Sequence, residues 1–130
     1  MPGMRLNAVN DEGVEFKLLT PFFRALIPVF AEKPNEIRIE PGSSRMQVRW
    51  DDKSASFPLK SRLHGYAALA FSRILILSAM SIALEGVEQT GRLRVRYGKR
   101  FIPIRVKSRR DDNSWRLVFR PAWKDAQPIS

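Results

Sequence analysis

Two runs in which apolar residues alternate with mostly basic ones, residues 92–97 and 100–107, are separated only by Gly98-Lys99. A two-residue loop with glycine first is the pattern of a type II′ hairpin, whose twist matches that of the strands it joins. Such a loop constrains the fold tightly, because it fixes both the antiparallel pairing and its register. Tyr97 is expected opposite Arg100, Val95 opposite Ile102 and Leu93 opposite Ile104. On the other face Arg96 meets Phe101, Arg94 meets Pro103 and Arg92 meets Arg105. Two like charges directly opposite one another on a sheet repel, which is tolerable where water screens them or an anion sits between them. Arg94, Arg96 and Lys107 extend this basic face.

The remaining chain fills in around the hairpin. Thr20-Pro21 resembles an N-cap followed by proline at the first helical position, which predicts a helix of about three turns over residues 20–33, bent at Pro28. Residues 36–40 and 46–50 alternate with period two around the Pro41-Gly42-Ser43-Ser44 turn, and Asp51-Asp52 turns the chain into a short strand at 55–59. Ser61 is placed to cap a long helix over about residues 62–81, with Leu63, Ala67, Ala70, Ile74 and Leu77 on its buried face. A third late strand is expected at 115–120, beyond a loop at 108–114. Helices and strands are grouped rather than alternating as βαβ units, which predicts an α+β fold: about five to six antiparallel strands with two main helices on one face. The domain is expected over residues 15–123, with an N-terminal extension at 1–14 and a tail at 124–130. Two expectations stay open, a piece excised from a larger protein and a whole gene product, with Met1 and these short ends slightly favouring the second.

With 130 residues the chain suits one core, and with no cysteine and one histidine it has no zinc finger, disulfide framework or thiol nucleophile. His64 has no partner at metal-ligand spacing, and Asp51-Asp52 and Asp111-Asp112 read as turn residues rather than acid–base pairs. No G-x-x-x-x-G-K-[ST] run occurs in these residues, so a P-loop reaction is not expected of them and the domain reads as non-catalytic. No segment reads as membrane-spanning, because Arg73 and His64 interrupt the most apolar one. The charge is lopsided: residues 1–90 hold 11 basic and 10 acidic side chains, and residues 91–130 hold 12 and 3. A basic segment calls for an anionic partner: nucleic acid, nucleotide phosphate, an acidic protein face or anionic lipid. Phosphate suits arginine, whose planar fork makes bidentate bonds and stays charged. A small basic nucleic-acid-binding module is the alternative, with Phe101, Trp115 and Trp123 as candidates for base stacking; Trp115 and Phe119 are also placed to face the core.

Four ordered motifs carry a resemblance across about residues 15–123. The run Ser72-Arg73-Ile74-Leu75-Ile76-Leu77-Ser78-Ala79-Met80-Ser81-Ile82-Ala83, followed by Gln89-Thr90-Gly91-Arg92, is similar to the S-R-I-K-x-M-A-x-L-D-I-A and P-Q-D-G-R segments that precede the motor in secretion and pilus ATPases. Glu36-Ile37-Arg38-Ile39-Glu40-Pro41 resembles the family's S-D-I-H-I-E-P, Val48-Arg49-Trp50 its V-R-F, and residues 100–106 its R-x-x-D-x-R-V strand. The chain departs from the pattern at Arg38, Glu88 and Thr90, and it carries no motor domain.

The resemblance implies a PAS-like N-terminal domain of the type II secretion and type IV pilus motor ATPases. Such a domain would dock on the motor of a hexameric ATPase or on its assembly platform, in the cytoplasm or peripherally at the inner membrane. In that family the arginine of the D-G-R turn and one in the next strand reach nucleotide phosphates; they match Arg92 and Arg105. Arg94, Arg96 and Lys107 would support them. No cofactor is expected on the domain alone, with ATP or ADP shared with a partner motor.

Overall fold

The computed structural model describes residues 5–42, 44–112 and 114–129. Its strands are β1 (Leu6–Val9), β2 (Ile37–Pro41), β3 (Arg45–Trp50), β4 (Lys53–Pro58), β5 (Gln89–Tyr97), β6 (Arg100–Asp111), β7 (Ser114–Pro121) and β8 (Gln127–Pro128). The helices are α1 (Thr20–Ala25), α2 (Ile27–Phe30) and α3 (Tyr66–Leu77). Seven strands form one curled antiparallel sheet in the order β1-β5-β6-β7-β2-β3-β4, and β8 pairs with the start of β6. The α+β class holds, with more strands than the sequence predicts. The stretch read as an N-terminal extension contributes β1, and the stretch read as a tail contributes β8.

The predicted hairpin register is the observed one: Tyr97 pairs with Arg100, Val95 with Ile102, Leu93 with Ile104 and Arg92 with Arg105. Gly98 takes φ +60°, while Lys99 stays out of the positive-φ region, as a type II′ loop requires. The β5–β6 ladder runs on to Gln89↔Ser108, and β6 continues through the predicted loop to Asp111, opposite Ser114 on β7. Two predicted turns include Ser43 and Asn113, which lie outside the described residues.

The first helix is broken in two at Leu26, and each half has proline in its first turn, where no intrahelical N–H is needed. Thr20 is not the cap the sequence predicts. It is already helical, and its Oγ1 instead accepts from Nδ2 of buried Asn7, 3.0 Å away, which ties β1 to α1. The second helix is shorter than predicted at both ends. Gly65, at φ +67°, interrupts the chain before Tyr66, so Leu63 falls outside the helix and stays exposed. At the other end Ala79 adopts φ +60°, with Ala79 N–H donating to Ile76 O and Met80 N–H to Leu75 O. That pair of bonds is a Schellman stop, formed here without glycine.

Phe22 and Phe23 of α1, Phe30 of α2, and Phe71 and Ile74 of α3 pack in one core cluster with the inward residues of the sheet, among them Val95, Ile102 and Phe119. Tyr66 ties α3 to the start of α1: its hydroxyl donates to Leu18 O at 2.6 Å and accepts Phe22 N–H at 3.2 Å. Burial pushes its phenol up from 10.0 to about 12, so its contribution to stability is complete below pH 10 and is lost as pH rises through 12. Tyr66→Phe leaves both backbone groups without their partner and is expected to be about 1–2 kcal/mol less stable at neutral pH. In urea melts the gap between the two proteins should close as pH rises from 10 to 12. A gap that stays constant would show that the phenol does not titrate in the fold.

Candidate functional site

Alternation along β5 sends Gln89, Gly91, Leu93 and Val95 toward the helices and Thr90, Arg92, Arg94 and Arg96 to the open face. The Gln89-Thr90-Gly91-Arg92 segment therefore does two things at once. Inside, Gln89 clamps Ser81 just beyond α3: Ser81 N–H donates to its Oε1 and its Nε2 donates to Ser81 O, each at 2.8 Å. Gly91 lets the Ser78 carbonyl close in, since a Cβ there would lie 2.1 Å from that oxygen. Outside, the same backbone presents Arg92.

Arg92 and Arg105 are both exposed and directly opposed, and Arg120 of β7 pairs with Arg105 on its other side, which makes a row of three arginines across three strands. Of the three, only Arg120 is neutralised among the described residues. Its Nε and Nη2 donate to Glu36 Oε2 at 3.2 and 3.0 Å, and Arg38 donates to the other oxygen of that carboxylate at 2.7 Å. The guanidinium of Arg38 foremost, and that of Arg120, holds the Glu36 carboxyl below the usual carboxylate range. Among the described residues neither Arg92 nor Arg105 has an ion pair or side-chain hydrogen bond. Two opposed guanidinium groups without a counter-charge can together receive the oxygens of a phosphate or carboxylate.

The residues expected to support this pair have mixed fates. Arg94 lies over the Phe101 ring, 4.6 Å from its centre, and donates to Asn10 O and Asp11 O at 2.8 and 2.9 Å, which fastens the turn after β1. Arg96 donates to Gly98 O at 3.0 Å, within its own hairpin. Lys107 remains half-buried on the open face, one row from Arg105.

None of the candidate stacking rings lies open. Phe101 is covered by Arg94 on one side and by Gly13 on another, where a Cβ would come within 2.9 Å of the ring. Trp123 donates its indole N–H to Pro34 O at 2.8 Å and packs against Phe30 and Tyr97. Trp115 lies edge-on to Phe71 beneath Arg110, and Phe119 is fully buried. His64 is exposed in the turn before α3, and Asp51 and Asp112 occupy turns at φ +52° and +49°. Among the described residues no group of three or more His, Asp or Glu side chains could hold a metal ion, and no helix is long and apolar enough to cross a membrane.

Sequence reasoning missed two further opposed pairs on the open face, Arg38↔Arg49 and Arg109↔Arg116. The second had a signal in Asp112-Asn113, a two-residue spacing between residues that tolerate positive φ. The first had none, because the longer turn before Arg45 does not dictate register.

The structure thus defines a mixed α+β domain with a helix-covered inner face and a basic outer one. No family model matches the chain. Over 95 residues it is 28% identical to "Type II secretion system protein E" of Klebsiella pneumoniae, a stretch covering 73% of this chain and 19% of that protein. The chain therefore spans about a fifth of the length of that relative, and the likeness is a distant, partial one to a type II secretion system protein.

Proposed function

We propose that this domain is a non-catalytic, PAS-like docking module of a type II secretion or type IV pilus motor system, acting in the cytoplasm. It packs on the motor domain of a hexameric ATPase and presents Arg92 and Arg105 to the phosphates of nucleotide held there. One observation carries the reading: two arginines face each other at a register fixed by a two-residue loop, exposed and without a counter-ion among the described residues. The distant likeness to the secretion protein supports it. A third opposed arginine, Arg120, is already tied to Glu36, so Arg92 and Arg105 are the members of the row left for an incoming anion. The nucleic-acid alternative is weakened because Phe101, Trp115 and Trp123 are all engaged within the chain.

The Arg92→Ala/Arg105→Ala double variant is expected to melt within about 0.5 kcal/mol of the native chain or slightly above it, as exposed residues in repulsion should. Its hold on a nucleotide-loaded motor should fall by about tenfold to a hundredfold, the loss that follows from about 1.5–3 kcal/mol of charge-assisted hydrogen bonding. The test is a tagged pull-down from the native host with mass spectrometry, run with both proteins in parallel and ATP present. A motor ATPase recovered by the native chain and lost by the variant is the expected result. Equal recovery by both, or a large fall in Tm of the variant, would overturn the role given to the pair.

A further inference from the structure

One row beyond Arg105 the open face sinks into a trough of about 700 Å³ that crosses β6, β7, β2, β3 and β4. We infer that this trough is a docking site for an extended, acidic polypeptide segment, whose carboxylates are received by Lys107 at one side and Arg49 at the other. The inference goes beyond the nucleotide reading and does not rest on it, since neither Arg92 nor Arg105 lines the trough.

Charge sets the chemistry of the occupant. Lys107 pairs with Val118, Val118 with Arg38, Arg38 with Arg49 and Arg49 with Ser54, so one continuous row of side chains forms the floor. Arg38 has a carboxylate within the chain, as do Arg109 and Arg116 in the next row, through Glu36, Asp111 and Glu40. Lys107 and Arg49 have no ion pair or side-chain hydrogen bond among the described residues. Arg49 also sits directly opposite Arg38, a like-charge pairing that is relieved when an anion arrives.

Three features favour a polypeptide over a nucleic acid. Glu40 and Glu88 line the trough and would repel a backbone charged at every unit, whereas carboxylates placed only at some positions avoid them. Among the described residues no aromatic ring lines it, so bases find nothing there to stack on. Gln47 and Ser54 offer neutral hydrogen-bonding groups suited to peptide amides. Spacing adds a requirement: Lys107 and Arg49 stand three strand steps apart, about 14 Å, close to the reach of four residues of extended chain at about 3.4 Å each. Side chains four residues apart share a face of an extended segment. The occupant therefore carries two acidic residues separated by three others.

The test uses a fluorescein-labelled, serine-rich peptide bearing two glutamates at that spacing, titrated with the full chain and read by anisotropy at low salt. Its diglutamine counterpart and a labelled oligothymidylate are run beside it. The expected result is binding of the glutamate peptide, at least tenfold weaker binding of the glutamine one, and at least a tenfold loss in the Arg49→Gln/Lys107→Gln variant. Arg24→Gln, on the exposed surface of α1, should bind the peptide like the native chain. Undiminished binding by Arg49→Gln/Lys107→Gln, tighter binding of the oligothymidylate, or no binding of the glutamate peptide to a native chain folded by circular dichroism would overturn the proposal. Failure here together with loss of motor recovery in the pull-down would leave the nucleotide reading intact and remove only this one.

Discussion

Replacing Gly91 with alanine should lower stability by about 3 kcal/mol, the upper end of the usual range for over-packing, because the new methyl has no room to enter. Its Cβ would lie 2.1 Å from the Ser78 carbonyl oxygen and 3.0 Å from the Ser78 Cβ. The oxygen belongs to the backbone at the end of α3, so no rotamer change moves it aside. The helix end is also held from both directions, by the Met80 N–H bond to Leu75 O and by the two bonds between Gln89 and Ser81. Relief must come from β5, which would push Arg92 out of its row with Arg105. For a domain of this size the loss corresponds to a fall in Tm of about 10 °C. Thermal and urea melts of Gly91→Ala beside the native chain measure it, and a midpoint within about 2 °C would show that the helix end yields more readily than its bonds imply.

Phe22→Ala should be costlier still, about 4 kcal/mol, as expected for a large aromatic side chain removed from a closed core. Phe22 is fully buried and meets Phe23, Phe71 and Phe119 edge-on at ring separations of 5.1, 5.6 and 6.3 Å. Those three partners come from α1, α3 and β7, so no single element can move to fill the space. Against a total stability of roughly 5–15 kcal/mol for ordinary domains, the variant is left marginal. Urea unfolding should show a much lower midpoint with little change in slope. A loss below about 2 kcal/mol would mean that the ring cluster collapses into the space.

What the sequence revealed follows the reach of each physical signal. The β5–β6 hairpin was legible pair by pair because its loop has two residues and leaves no freedom of register. The same logic places Arg92 opposite Arg105. Strand β1 was not legible, since all four of its residues are buried and period-two alternation is absent. The ends of α3 were misplaced because apolar spacing continues past both, while what stops the helix is backbone conformation at Gly65 and Ala79. The work of Arg94 could not be inferred either, as its acceptors are backbone oxygens of Asn10 and Asp11, more than eighty residues earlier in the chain. Local chemistry was readable, and partnerships set by tertiary packing were not.

The position of β7 bears on how the chain assembles. It lies between β6 and β2 and joins the β1-β5-β6 side of the sheet to the β2-β3-β4 hairpins, although all of those strands precede it in sequence. During synthesis the hairpins can close early, but the strand that unites them is made after every other strand of the sheet but β8. Pairing Ile37 with Phe119 closes a loop of roughly eighty residues, and such non-local pairing slows folding toward the millisecond-to-second range. Until β7 docks, β2 and β6 each present an unsatisfied edge, and the interval before its arrival is when the nascent chain is most open to pairing with another copy of itself.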